Sequence, residues 1–446
     1  MLLLNVDLPS SVPLWASIPF AIMLLSIAVL PLIFESWWER NRHKLTVALI
    51  LAVPTAIYLI NNGLVHNLEH QILFDYIPFI MLLASLFVVT GGIHLNGDIK
   101  AKPIINTLFL GIGYLLASIM GTTGAAMLLI RPVITTNQQR KYKTHTVLFF
   151  IATVANCGGL LTPLGDPPLF LLFLRGAPFT WFLNLLPEWA FVGTFLLLIY
   201  FLVDTYYYKK EHWVHLSADA REIEPIRITG TINFIFLLGV ILSVAFINDD
   251  FIPLMKDNPD TGYLAPIWLK FLREIILGLL IALSLYATKK EVREKNKFSW
   301  RPIIEVAVVF LGIFITMVPT MLYLAQNASS FGLTEPWQFY YTAGTLSSFL
   351  DNAPTAVAFH GVALGLVNSG QAAAEIAGIP ELLLKAIAVG SVFFGAMTYI
   401  GNGPNFMVKA IAEENKVEMP SFFGYMFKFS LLVLLPLYIL TQLLFL

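Results

Sequence analysis

Long apolar stretches alternate with short polar linkers from one end of the chain to the other. Runs able to span the roughly 30 Å hydrocarbon layer, at about 1.5 Å per helical residue, lie near 13–34, 45–60, 72–92, 145–175, 187–208, 229–247, 266–287, 302–325, 382–411 and 421–444. The linkers alternate in Lys and Arg content. One set holds Arg40, Arg42 and Lys44; Lys100 and Lys102; Arg131, Arg140, Lys141 and Lys143; Lys209, Lys210, Arg221 and Arg227; and the cluster from Lys289 to Arg301. The intervening linkers are almost free of both residues, and the one around 248–260 is acidic, with Asp249, Asp250, Asp257 and Asp260. Basic linkers face the cytoplasm by the positive-inside rule. The expected topology has ten crossings with both termini outside.

Two apolar segments break the zigzag. Residues 103–135 have basic linkers on both sides, so the segment must enter and return. Its middle reads Met120-Gly121-Thr122-Thr123-Gly124, and glycine favours a turn over a helix interior. Residues 337–366 have flanks without Lys or Arg, and their middle reads Asp351-Asn352-Ala353-Pro354. Proline suits the first turn of a new half-helix. Both segments are expected to be re-entrant hairpins.

The two halves also repeat each other. Thr162-Pro163-Leu164-Gly165-Asp166-Pro167-Pro168 and Thr398-Tyr399-Ile400-Gly401-Asn402-Gly403-Pro404 share the pattern Thr-x-x-Gly-(Asp/Asn)-x-Pro, 236 residues apart, and the hairpin tips Gly121 and Asp351 are 230 apart. The sequence predicts an extra N-terminal helix and linker (1–44), a first repeat (45–208, hairpin 103–135, broken helix 145–175), a linker with one crossing (209–265) and an inverted second repeat (266–446, hairpin 337–366, broken helix 382–411). Orphaned backbone groups survive in a bilayer only inside protein or against a wet cavity. Four breaks at similar depth therefore predict one shared polar site near the midplane, the usual place for a carrier's binding site.

Composition narrows the function. The 446 residues are 57% hydrophobic and 12% charged, with mean hydropathy +0.76 and net charge −1. Soluble domains carry about 25% charged residues, so the expected class is an all-α polytopic membrane protein embedded in a lipid bilayer. No basic face is available for nucleic acid, and the lone Cys157 cannot form an internal disulfide. The N-terminus lacks a basic n-region, so the first apolar run reads as a retained helix. The chain has no His-Glu-x-x-His, Gly-x-Ser-x-Gly or Cys–His cluster, so neither an enzyme nor a cofactor is expected.

Asp351 is the leading candidate, because a carboxylate at mid-bilayer costs about 2.5–3.5 kcal/mol on insertion scales. With Asn352 it would ligate a small hard cation such as Na⁺; the structural alternative is helix capping. Asp166 is either a second cation ligand or a cap for the half-helix beginning at Pro167. Thr122, Thr123, Thr162, Thr398, Asn402 and Asn405 supply neutral oxygens at the same breaks, each as suited to satisfying nearby backbone as to touching substrate. His360 is a candidate proton relay. Asn156 reads more readily as a helix-to-helix hydrogen bond than as a ligand. Arg131 and Arg175 read as snorkelling charges, Glu305 as the i,i+4 partner of Arg301, and Asp75, Glu188 and Glu274 as water-exposed acids near outer helix ends.

The layout resembles the ion transporter superfamily of arsenite permeases, NhaD-type sodium/proton antiporters, and citrate and dicarboxylate carriers. The likeness rests on Ser348-Phe349-Leu350-Asp351-Asn352-Ala353-Pro354-Thr355, Gly165-Asp166-Pro167-Pro168 and Ile400-Gly401-Asn402-Gly403-Pro404-Asn405. The Leu-Asp-Asn-x-Pro tip is most similar to the antiporter branch, although the first tip, Gly121-Thr122-Thr123-Gly124, is not acidic. The resemblance implies exchange of Na⁺ or Li⁺ for protons at Asp351, Asn352 and Asp166. Its alternative is sodium-coupled uptake of citrate or a dicarboxylate. It also implies a homodimer, and the charge bias suggests a bacterial inner membrane.

Overall fold

Proline and glycine decide where the helices of this chain start and stop. The structure, a computed structural model, describes residues 12–219, 224–258 and 261–446; the first eleven residues, Arg221 and Asp260 lie outside that set. The principal helices are α1 (Ile18–Ile33), α2 (Asn41–Asn61), α3 (Val65–Thr90), α4 (Pro103–Met120), α5 (Thr122–Thr136), α6 (Thr144–Thr153), α7 (Pro167–Leu174), α8 (Leu186–Lys210), α9 (Asn233–Phe246), α10 (Leu272–Ala287), α11 (Arg301–Asn327), α12 (Pro336–Phe349), α13 (Asn352–Asn368), α14 (Glu381–Phe394), α15 (Gly403–Glu414) and α16 (Phe422–Phe445). Pro103, Pro167, Pro336 and Pro404 all occupy a first or second helical position, where a missing N–H costs nothing.

The chain is an all-α polytopic membrane protein. Among the described residues, eight helices are long and apolar enough to cross a bilayer, against ten expected crossings. The difference lies in interruption: the run 382–411 divides into α14 and α15, 266–287 is nicked between Lys270 and Leu272, and α9 has only 14 residues. Conversely α4, expected as a hairpin arm, is itself of spanning length. After Gly121 the chain turns and α5 packs back along α4; α12 and α13 do the same about Asp351.

One small sheet was not expected. Strands β1 (His94–Asp98) and β2 (Glu224–Thr229) pair antiparallel, with His94 opposite Thr229 and a register shift between Asn96 and Asp98. Gly97, at φ +143, lies so close to the Ile226 backbone that a Cβ would fall 2.7 Å from its Cα. The linker from 209 to 228, too short to fold alone, supplies a strand that pairs with β1, and a short helix at Trp213–Asp219.

The helices pack as two groups. In the first, α2 and α1 lie on α11, and α9 and α10 lie on α3. The second contains both hairpins, both broken helices, α8 and α16. Within it, α13 of the second hairpin packs on α7 of the first broken helix, and α5 of the first hairpin packs on α15 of the second. The groups meet chiefly along α11 and α13, where Gly365 lets α13 approach Ala325 and Ala328 closely. Small residues at such contacts are how helices approach in a membrane.

Several charges lie elsewhere than their spacing predicts. Glu305 pairs with Lys44 of α2, not with Arg301, which donates to the Glu39 carbonyl. Asp75, Glu188 and Glu274, expected in water, are all buried and paired with Arg175, Lys385 and Arg273. Arg175 therefore does not snorkel. A buried acid requires a partner: Glu274 takes its chain neighbour Arg273, whereas Asp75 and Glu188 find theirs on segments whose proximity the linear pattern did not reveal.

Candidate functional site

Each broken helix is interrupted by the same local chemistry. In the first, α6 ends at Thr153, a single tight turn covers Cys157–Leu161, and Thr162 and Asp166 are extended. In the second, α14 ends at Phe394, a turn covers Gly395–Met397, and Thr398 and Asn402 are extended. Gly165 and Gly401 are required because a Cβ at either would fall 1.9 Å from the Gly159 carbonyl oxygen or 2.6 Å from that of Gly395, and on Gly401 also 2.8 Å from the Ser347 carbonyl oxygen. No flexible side chain stands there to yield.

Threonine ties each break to its own hairpin. The Thr162 hydroxyl donates to the Ser118 carbonyl at 2.5 Å, and the Thr398 hydroxyl donates to the Ser348 carbonyl. The serine hydroxyls answer: Ser118 donates to Gly158 O at 2.5 Å, and Ser348 to Phe394 O at 3.2 Å. Local geometry therefore repeats together with the sequence pattern. Both threonines are committed to backbone, with Leu164 N donating to the Thr162 hydroxyl and Ile400 N to that of Thr398.

The tips meet the breaks. Gly121 adopts φ +80, a conformation that favours glycine, and the next amide, Thr122 N, donates to Gly165 O at 2.8 Å. At the second tip, Asp351 caps α13 by accepting from Ala353 N at 3.0 Å. It is half-buried and touches no other candidate side chain, whereas Asn352 beside it reaches the first unit.

The centre of the site is Asp166, 1% exposed. Its Oδ1 accepts from the Thr122 hydroxyl at 2.8 Å and from Asn402 Nδ2 at 2.9 Å; its Oδ2 accepts from Asn352 Nδ2 at 2.6 Å. Although Asp166 precedes α7, its side chain does not cap that helix. The two acids have thus exchanged the expected emphasis: Asp351 caps, and Asp166 gathers both hairpins and both breaks. Beyond Asn402, Asn156 Oδ1 accepts from Asn402 Nδ2 at 3.2 Å, and Asn156 Nδ2 donates to Asn405 Oδ1 at 2.7 Å. Asn405 in turn donates to the carbonyls of Gly395 and Thr398. Asn156, expected to make a helix-to-helix hydrogen bond, makes one to Asn405 and so joins the two breaks.

Other expected residues lie to the side. Thr123 lines a cavity of about 90 Å³ with Thr122, Gly124, Gly165 and Asp166, facing Leu82, Leu86 and Phe87 of α3 and Ile303 and Val306 of α11. His360 is buried, but its Nε2 contacts the Ala377 carbonyl at 3.0 Å, outside the Asp166 network.

Two features set the electrostatics. The N-termini of α5, α7, α13 and α15 all begin at this junction and present the positive ends of their helix dipoles, although α7, opening on Pro167 and Pro168 with the Leu169 and Phe170 amides on the Asp166 carbonyl, offers no free N–H. Against them stands one carboxylate whose three hydrogen-bond donors are all neutral; no Lys or Arg pairs with Asp166 among the described residues. The adjacent Asn352 Oδ1 is buried with no hydrogen-bond partner. That oxygen and the carboxylate are hard donors of the kind that hold alkali and alkaline-earth cations. No cluster of three or more His, Cys, Asp or Glu able to hold a metal occurs among the described residues.

A multi-pass helical protein whose interrupted helices converge on a buried polar junction has the form of a membrane carrier. The chain belongs to the CitMHS_2 family, described as "Putative citrate transport", whose model matches residues 9–446. No curated protein matches it.

Proposed function

We propose that this protein is a secondary carrier of citrate or a closely related carboxylate, moved together with a cation. The family's description, citrate transport, supports this substrate class. The observation that carries the coupling is Asp166, a buried carboxylate without an ion-pair partner where both tips and both breaks meet. The N-termini of α5, α13 and α15 suit a carboxylate ligand. The Asp166 charge opposes one, and among the described residues no Lys or Arg lines the cavity to offset it. A cation at Asp166 and Asn352 Oδ1, with Na⁺ as the first candidate, removes that repulsion and makes anion binding depend on the cation. Asp351 stands at the rim of this site as a cap and second acid.

The same reading takes the helix pairs α4–α5 and α12–α13 as re-entrant hairpins, the two units as inverted repeats, and the Lys/Arg-rich end as cytoplasmic. Alternating access then comes from one body of helices moving against the other around a fixed site. A bacterial inner-membrane location and a homodimer accompany this reading.

The test is uptake of labelled citrate by proteoliposomes under an inward Na⁺ gradient. Uptake that stops when choline replaces Na⁺ supports the proposal. The second reading, exchange of Na⁺ for protons, is favoured by the same uncompensated carboxylate. It predicts instead that external Na⁺ or Li⁺ dissipates a preformed pH gradient without citrate.

A further inference from the structure

We propose that two ion pairs at opposite ends of the helices are latches, buried alternately as each end shuts in the transport cycle. This inference rests on the reading of the chain as a carrier. Each pair joins the outgoing half of a broken helix to the other packing group. Arg175, directly after α7, donates to Asp75 Oδ2 at 2.8 Å and to Gln71 Oε1 at 3.3 Å, both on α3. Glu414, the last residue of α15, accepts from Lys297 at 2.6 Å, on the linker before α11. Since α7 and α15 occupy corresponding places in the two units, the pairs are counterparts on opposite ends.

Both pairs are formed here, but they differ in burial. The Arg175 and Asp75 side chains are 12% and 3% exposed, whereas Lys297 and Glu414 are 60% and 53% exposed. The cavity at Asp166 extends toward the end bearing the exposed pair, reaching Phe87 of α3 and Pro302 and Ile303 in the first turn of α11. The buried latch therefore lies at the end away from the cavity. Gln71 reinforces it, and α3 is wound there as a wide π-type turn over Gln71–Tyr76, a distortion that often marks functional sites in helices. A buried pair contributes little net when whole, because desolvation offsets its attraction, but becomes a liability when one partner is lost, which suits a contact that is buried in only one of two states.

Val306, half-buried on the cavity wall, provides a reporter. In a Cys157→Ser background, the reaction of Val306→Cys with a water-soluble maleimide measures how open the Lys/Arg-rich end is, whatever the substrate. Asp75→Asn and Arg175→Gln should each slow labelling about tenfold, as the population shifts to the opposite state. The charge exchange Asp75→Arg with Arg175→Asp should restore it. Lys297→Ala should leave it unchanged or faster. Unchanged labelling in both single variants, eluting as monodisperse protein, overturns the latch. So does a pair of single variants that cannot be folded while the exchange variant folds, because the ion pair is then needed for folding. Failure of citrate uptake with the labelling shifts intact refutes the substrate assignment and leaves the latch standing.

Discussion

Asp166→Asn separates a charge that carries a cation from one that merely organises hydrogen bonds. The substitution preserves shape and one carbonyl-type oxygen, which can take over from Oδ1 in accepting from Thr122 and Asn402. The new amide would face Asn352 Nδ2, now 2.6 Å from Oδ2. Rotating the Asn352 amide resolves that clash, because its Oδ1 has no hydrogen-bond partner to lose. All three contacts survive, so the folding cost from hydrogen bonds stays within about 1 kcal/mol. Removing an uncompensated charge from mid-bilayer returns up to about 2.5–3.5 kcal/mol. The variant should therefore be as stable as the wild type or more so. Sodium should distinguish them: at 100 times its dissociation constant a specifically bound ion contributes about 2.7 kcal/mol. With about 2.1 cal/mol/K of unfolding entropy per residue over 446 residues, the wild-type melting temperature should rise about 3 °C in NaCl relative to choline chloride. Asp166→Asn should show no such rise. An equal Na⁺-dependent rise in wild type and variant would refute the assignment of the cation to Asp166.

Three further outcomes follow from the geometry. Asp351→Asn retains a capping oxygen for Ala353 N and should leave stability nearly unchanged, whereas Asp351→Ala should cost about 1 kcal/mol in denaturant or thermal unfolding. Gly165→Ala and Gly401→Ala force a Cβ into backbone carbonyls; a loss of more than about 3 kcal/mol should appear as a collapse of the monodisperse peak after detergent extraction. At the acidic linker, Lys270 and the Ala265 amide hold the Asp257 carboxyl below its ordinary value. A depressed folded-state value contributes stability above the unfolded value of about 3.9 and loses it as pH falls through the folded one. Hydrogen-exchange protection of the Ala265 amide, corrected for intrinsic rate, should therefore be flat from pH 7 to 5 and fall only below about pH 4.

The helices, the tips and the breaks were legible because proline, glycine and apolar run length act locally. The repeated Thr-x-x-Gly-(Asp/Asn)-x-Pro pattern marked both extended segments, and Gly121 and Asp351 marked both tips. Which acid sits at the centre was not legible. Asp166 and Asp351 both precede a half-helix, and only the packing of α13 on α7 turns Asn352 toward Asp166. Nor did the sequence reveal Asn156 as a bridge, since its partner Asn405 lies 249 residues away. The partners of Asp75, Glu188 and Glu305 were hidden for the same reason: each lies on a segment distant in sequence that folding brings alongside. The β1–β2 ribbon was hidden because its strands lie in two short polar linkers separated by several helices.

Equilibrium binding of radioactive Na⁺ to the purified protein, with and without citrate, tests coupling at Asp166 most directly. Binding linkage is reciprocal, so citrate should tighten Na⁺ binding in the wild type, and Asp166→Asn should abolish both the binding and the citrate effect. Sodium bound equally by wild type and Asp166→Asn, or bound with no response to citrate, would contradict it.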